Sequence, residues 1–124
     1  MKEEIKKWIK KAKDDLKKAN DNFNIKNFDL ASFLCQQAVE KGMKALILQK
    51  ESKIIKTHDL LFLAERIHLP EDLRGTCKEL TLMYVYTRYP DTAEVKDIKN
   101  KAQKYLTFTE VILKWIKKQL SKKN

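Results

Sequence analysis

Residues 84–91, Tyr-Val-Tyr-Thr-Arg-Tyr-Pro-Asp, hold the side chains of this chain that are best suited to chemistry. Pro90 cannot continue a helix and favours an extended conformation for Tyr89, so we expect the backbone to turn sharply there. At such a corner Arg88 can bind a phosphate through two hydrogen bonds, and Tyr89 can stack on a base. The alternative is a structural hinge in which Arg88 pairs with a carboxylate such as Glu40.

Two further groups of polar side chains could meet that corner. Gln37, Lys41 and Lys44 are spaced four and three residues apart, so they project from the same side of a helix. The alternative for them is an ion-paired surface arc. His58 follows Thr57 at a predicted helix start, where it could act as a base or contact a phosphate beside free backbone N–H groups. The alternative for His58 is a ring that only packs and hydrogen-bonds.

The composition is basic, with 27 Lys and Arg against 17 Asp and Glu and a net charge of +10. This balance is compatible with binding to nucleic acid. However, many lysines alternate with acidic residues, as on ordinary solvated surfaces, and charge alone therefore does not favour that function.

Cys35 and Cys77 lie far apart and have no neighbouring Cys or His at metal-ligand spacing. Both fall on apolar helical stripes, so we expect buried free thiols. We expect no metal site and no cofactor.

Nothing in the sequence predicts insertion into a membrane. No apolar run approaches the roughly 20 residues that a membrane span requires, and the N-terminus lacks the apolar core of a signal peptide. We expect a cytoplasmic protein whose residues 1–124 form one domain.

The apolar residues recur at helical spacing over almost the whole chain, and the 2 Gly and 2 Pro leave few places for a turn. Asp91 and Glu94 have the spacing of a capping box, which predicts that the last helix starts directly after the corner. The pattern predicts an all-α, up-and-down antiparallel bundle of four long helices and one short helix. The expected helices span residues 3–23, 28–50, 57–67 (the short one, capped by Thr57), 70–87 and 91–120.

The second helix carries apolar residues on more than one side, which is typical of a central helix or of an oligomer interface. Its Gly42 costs about 1 kcal/mol relative to Ala, so we expect a neighbouring helix to pack closely there. The candidate interface residues are apolar side chains on outer faces of the predicted helices, namely Phe33, Leu48, Leu82 and Tyr86.

Several segments carry a recognisable pattern, namely Trp8, Ala12 and Asp15 in the first helix and the runs at residues 29–33, 36–41, 44–46, 57–61 and 84–91. At these segments the chain resembles the HEPN domain family, small helical modules found in higher eukaryotes and prokaryotes. The resemblance covers nearly the whole chain in the same order.

The resemblance implies a helical bundle that commonly forms homodimers and that is often encoded beside a minimal nucleotidyltransferase, in toxin–antitoxin or related pairs. Many HEPN proteins are metal-independent endoribonucleases with an Arg followed, after four to six residues, by a His. Arg88 matches that Arg, but residues 93–95 are Ala, Glu and Val, so the usual imidazole for general acid–base catalysis is missing.

The leading hypothesis is therefore a non-catalytic, homodimeric HEPN domain that binds a nucleotide or a nucleotidyltransferase partner near Arg88, Tyr89 and Asp91. One alternative is an endoribonuclease toxin that uses Arg88 with His58 or a Tyr. Another is a purely structural interaction subunit.

Overall fold

The computed structural model describes residues 2–91 and 94–122. Within them the chain forms five α-helices and no β-strand, which confirms the predicted helical bundle. The helices are α1 (Glu3–Asn24), α2 (Phe28–Glu51), α3 (Leu60–Arg66), α4 (Glu71–Tyr86) and α5 (Ile98–Leu120).

Helix α2 lies at the centre of the bundle, because it contacts each of the other four helices and packs most extensively against α1 and α5. The turn at residues 25–27 reverses the chain between α1 and α2, with Asn27 N–H donating to the Asn22 carbonyl at 2.8 Å. In contrast, α4 and α5 follow one another in sequence but touch only sparsely. The pairing of helices is therefore organised around α2.

Close packing of α2 against α5 explains the glycine in the middle of α2. A Cβ atom at Gly42 would lie 2.7 Å from Leu113 Cδ2 and 3.1 Å from Ile116 Cδ1. The absence of a side chain lets the two helices approach, as the sequence predicted.

Helix α3 begins later than predicted, and Thr57 is not its N-cap. The Asp59 carboxylate accepts hydrogen bonds from the backbone N–H groups of Leu61 (3.0 Å) and Phe62 (3.3 Å). Thr57 Oγ1 instead accepts from Asp59 N–H at 3.1 Å. Asp59 therefore caps the helix, as this residue type commonly does.

Helix α5 begins at Ile98, so the prediction of a helix starting after Asp91 is wrong. Glu94 and Val95 are not helical, and Asp97 precedes α5 with φ 55°. Val95 packs on the core from this irregular segment. A tertiary contact thus overrides a local capping signal.

Candidate functional site

Glu40 is a buried carboxylate on α2, and only 5% of the residue is exposed. It accepts hydrogen bonds from Gln36 Nε2 at 3.0 Å and from Lys44 Nζ at 3.0 Å, one helical turn to either side. His58 Nδ1 lies 2.8 Å from its Oε1. A carboxylate paired with a lysine can only accept, so Nδ1 carries the hydrogen and Nε2 of His58 is left for other contacts.

The His58 ring also stacks on an aromatic ring from α4. The His58 and Tyr84 ring centroids are 4.1 Å apart, with an interplanar angle of 19°. The Phe33 ring lies 5.9 Å from the same Tyr84 ring. Tyr84 therefore joins the connection before α3 to the middle of the bundle.

Arg88 lies over that same ring, with its Cζ 4.8 Å from the Tyr84 centroid. It is exposed, and it takes part in none of the ion pairs among the described residues. The alternative pairing of Arg88 with Glu40 does not occur, because His58 and Lys44 occupy that carboxylate. Arg88 is thus positioned by a cation–π contact and pairs with no carboxylate of the described residues.

The backbone around Arg88 is fixed by the last turn of α4. The N–H groups of Arg88 and Tyr89 both donate to the Val85 carbonyl, at 3.2 and 3.1 Å. Thr87 Oγ1 donates to the Met83 carbonyl at 2.6 Å. The corner before Pro90 is therefore an ordered end of a helix.

Two clefts flank this corner. The first has a volume of about 350 Å³ and lies between the start of α2 and the end of α4; its lining is Asn27, Asp29, Leu30, Phe33, Thr87 and Arg88. The second has a volume of about 370 Å³, and Tyr89, Tyr86, Pro90 and Glu94 are among the residues that line it. Asp29 and Thr87 line both clefts, while Asp91 lines neither. The structure therefore brings Arg88 and Tyr89 to adjacent hollows.

The predicted polar arc on α2 is largely engaged inside the protein. Lys44 is buried against Glu40, and Lys41 Nζ pairs with the buried Asp15 of α1. Gln37 Nε2 donates to Gln36 Oε1 at 2.7 Å. These side chains are engaged in contacts along α2 and with α1, and none of them lines the two clefts at the corner.

The sequence analysis did not identify Glu40 and Tyr84 as residues of the site. Glu40 is four residues from both Gln36 and Lys44, a spacing that signals a ladder of hydrogen bonds along one helix face. Tyr84 is four residues before Arg88, which places its ring under the guanidinium. Both spacings were visible in the sequence.

Three further features bear on the sequence predictions, namely the two thiols, groups that could hold a metal and helices that could cross a membrane. Cys35 and Cys77 are buried and free, as predicted, and burial raises the pKa of each thiol to about 12. No group of three His, Cys, Asp or Glu side chains that could hold a metal occurs among the residues that the structure describes. None of the helices, over those same residues, combines the length and apolar character that crossing a membrane requires.

Fold and site together define a small helical domain with an exposed basic and aromatic corner. The chain belongs to the HEPN domain family, whose model matches residues 5–120. It is similar in structure to TT1696 from Thermus thermophilus, with 27% sequence identity, a TM-score of 0.82 and coverage of 93% of this chain and 97% of that chain. It is also similar to ST0689, an archaeal HEPN homologue, with 29% identity, a TM-score of 0.78 and coverage of 98% and 100%. No curated protein matches the chain.

Proposed function

We propose that this chain is a non-catalytic, homodimeric HEPN domain that binds a nucleotide at the corner formed by the end of α4 and the start of α2. The observation that carries the proposal is the position of Arg88. Its guanidinium is exposed, is held over Tyr84 and lines a cleft without a carboxylate partner among the described residues. A guanidinium placed in this way can form two parallel hydrogen bonds to a phosphate.

The remaining lining of the Arg88 cleft suits the other parts of a nucleotide. Phe33 and Leu30 provide apolar surface for a base, and the Phe33 ring can stack on it. The carboxylate of Asp29 and the amide of Asn27 can accept hydrogen bonds from ribose hydroxyls or from an amino group of the base. A volume of about 350 Å³ lies within the range typical of small-ligand sites.

The test is titration calorimetry with ATP, GTP and non-hydrolysable analogues on the wild type, Arg88→Ala and Arg66→Ala. Arg66 is a matched control, because it also lies over an aromatic ring (Phe62, 5.9 Å) but is paired with Glu51. We expect Arg88→Ala to weaken binding by at least about tenfold, as a lost charge-assisted contact does, while Arg66→Ala binds like the wild type. Absence of heat with every nucleotide, or equal weakening by both changes, would refute the nucleotide site.

The homodimer is supported by an apolar stripe on the outer face of α4. Leu82, Val85 and Tyr86 recur at helical spacing on α4 and are 45%, 40% and 37% exposed, and Tyr89, 52% exposed, follows just beyond the end of the helix. Of the other two candidate interface residues, Leu48 is half-buried against the core, and Phe33 is half-buried beside Tyr84. An exposed stripe of this kind marks an interaction surface.

Light scattering tests the dimer. We expect the wild type to have twice the mass of the 14.7 kDa chain and Leu82→Lys to be monomeric. Val111→Lys is the control, because Val111 is equally exposed (47%) but lies on α5. A monomeric wild type, or a dimer that Leu82→Lys leaves intact, would remove the homodimer from the proposal.

A minimal nucleotidyltransferase partner and a toxin–antitoxin role are part of the same proposal, and they rest on the family resemblance. Co-expression with the product of the neighbouring gene, followed by size-exclusion chromatography, tests this part. A stable complex with a nucleotidyltransferase would support it. Separate elution of the two proteins would leave nucleotide binding as the function.

Cleavage of RNA is a second candidate function, and one contact favours it. His58 lies on the same Tyr84 ring as Arg88 and is oriented by Glu40, so an imidazole from another segment shares an aromatic ring with the arginine of the family motif. A histidine held by a carboxylate in this way can act as a general acid or base through Nε2.

Incubation with tRNA and mRNA in the presence of EDTA separates the two functions. Cleavage that His58→Asn and Arg88→Ala both abolish, and that His68→Asn leaves unchanged, would establish a ribonuclease and overturn the non-catalytic proposal. His68 is the matched control, because it is exposed and lies beyond α3. No cleavage by the wild type is the result that we expect.

A further inference from the structure

The seam between α1 and α5 forms a groove on a surface that the nucleotide corner does not use. Two adjoining hollows share Ile9, Lys13 and Lys117, so they form one continuous depression, and the larger has a volume of about 390 Å³. We call it the α1–α5 groove. Its apolar floor is Ile9, Ala12, Leu113 and Leu120, and its rim is Lys6, Lys10, Lys13 and Lys117.

The rim lysines are available to an external partner. Lys13 and Lys117 take part in none of the ion pairs among the described residues. Within the described part of the chain, Lys10 pairs only with Asp14 at 3.1 Å and Lys6 only with Glu3 at 3.3 Å, each on its own helix, and all four side chains are well exposed. Exposed pairs of this kind contribute little, so an incoming carboxylate can replace Asp14 at small cost.

We propose that the α1–α5 groove binds an acidic amphipathic helix of a partner protein. Such a helix would place its apolar stripe on the half-buried Ile9 and Leu113 and above Leu120, which is 6% exposed, and its flanking Asp and Glu side chains against the lysines. This is the recognition of a helix in a groove, with charges on both sides that fix the register.

The shape of the groove fits a helix. Lys6 lines it together with Leu120, and Ala12 lines it together with Leu113, so α1 and α5 run antiparallel along it. A third helix packed on two antiparallel helices completes a familiar bundle arrangement.

The charge of the groove selects among possible occupants. A second copy of this chain would bring lysines against lysines on a protein of net charge +10, which is unfavourable. Nucleic acid would satisfy the lysines but would leave the apolar floor without a partner, since non-specific contacts are made mainly to phosphates. An acidic amphipathic helix matches both the floor and the rim.

The experiment uses a synthetic peptide of about 18 residues, long enough to form a helix, with Leu at i, i+3, i+4 and i+7 and Glu on both flanks. Binding is measured by fluorescence anisotropy, and the bound surface is mapped by NMR shifts of methyl groups in the full chain. We expect shifts at Ile9, Leu113 and Leu120. The same peptide with Lys in place of Glu is expected not to bind.

Matched charge reversals make the test specific. We expect the double variant Lys13→Glu/Lys117→Glu to weaken peptide binding by at least about tenfold. The double variant Lys53→Glu/Lys56→Glu changes net charge equally, but its exposed lysines lie in the connection between α2 and α3, so it should bind the peptide like the wild type.

Three results would overturn the proposal. They are shifts outside the groove, equal weakening by the two double variants, and binding of phosphatidylglycerol vesicles or of single-stranded RNA at the groove without binding of the peptide. Nucleotide calorimetry on Lys13→Glu/Lys117→Glu should match the wild type, so failure here is distinguishable from failure of the proposed function.

Discussion

His58 Nδ1 lies 2.8 Å from Glu40 Oε1, so a half-exposed ring from the connection before α3 is held by a buried carboxylate of α2. The contact joins two segments that are 18 residues apart. On its other side, Glu40 accepts from the buried Lys44. The exposed corner at Arg88 therefore rests, through Tyr84 and His58, on an ion pair inside the bundle.

The first prediction concerns that ion pair. Glu40→Ala would leave Lys44 buried without its carboxylate, and such a change typically costs about 3–5 kcal/mol. We expect urea unfolding to show a loss of about 3 kcal/mol, at the low end of that range. Glu51→Ala is the control, since it removes only the solvent-screened partner of Arg66, and we expect its unfolding midpoint to stay close to that of the wild type. Equal losses of unfolding free energy in the two variants would show that the buried pair contributes no more to stability than the exposed pair.

The second prediction compares the two glycines. Gly75 lies exposed in α4, and a Cβ added to it would meet nothing within 4 Å, so Gly75→Ala should stabilise the protein by about 0.5–1 kcal/mol through helix propensity. Gly42→Ala gains the same propensity but pushes on Leu113 and on the fully buried Ile116. Overpacking costs about 1–3 kcal/mol, so we expect a net loss.

Thermal unfolding of both glycine variants measures this difference. Gly75→Ala should raise Tm, and Gly42→Ala should lower it. A rise of similar size in both variants would mean that α2 and α5 are not tightly packed at Gly42.

The sequence predicted the helices well because their apolar residues recur with helical period, and it predicted the close approach at Gly42 from the cost of a glycine in a helix. It also located the corner, because Pro90 cannot continue the helix that precedes it. It did not predict the start of α5, because Val95 reaches the core from an irregular segment whose path depends on tertiary packing.

Part of the candidate site was also predictable, because the spacing of residues along one helix determines which side chains meet. Ladders along one helix, such as Gln36–Glu40–Lys44, follow from spacing alone. The contact between His58 and Glu40 depends on the path of residues 52–59 across α2, which no local pattern encodes. The sequence therefore named Arg88 and His58 but could not show that both lie against the Tyr84 ring.

The third prediction concerns the thiols. Burial raises the pKa of Cys35 and of Cys77 to about 12, and the thiolate is the reactive form. In the folded protein at about pH 8, near the pKa of a free thiol, we expect neither thiol to react appreciably with Ellman's reagent, whereas both react at once in concentrated urea. Rapid reaction of the folded protein would show that at least one of these helices opens readily.

The fourth prediction concerns the link between α4 and α5. Glu79 accepts hydrogen bonds from Lys104 Nζ at 2.8 Å and from Tyr105 Oη at 2.9 Å. Burial raises the pKa of Glu79, but the two hydrogen bonds outweigh it, so the pKa in the folded state lies below the ordinary value of 4.5. The link therefore stabilises the protein above that value and is lost as the pH falls through the lower folded pKa.

Glu79→Gln removes this pH-dependent stabilisation, and urea unfolding at a series of pH values measures it. We expect the free energy of unfolding of the wild type to exceed that of Glu79→Gln by about 1 kcal/mol between pH 5 and pH 7. The difference should shrink below about pH 4.5. Glu65→Gln is the control, because Glu65 is exposed on α3 and takes part in no ion pair among the described residues, so its difference should stay near zero. A difference for Glu79→Gln that persists unchanged at about pH 3 would mean that packing of the side chain, and not its charge, joins α4 to α5.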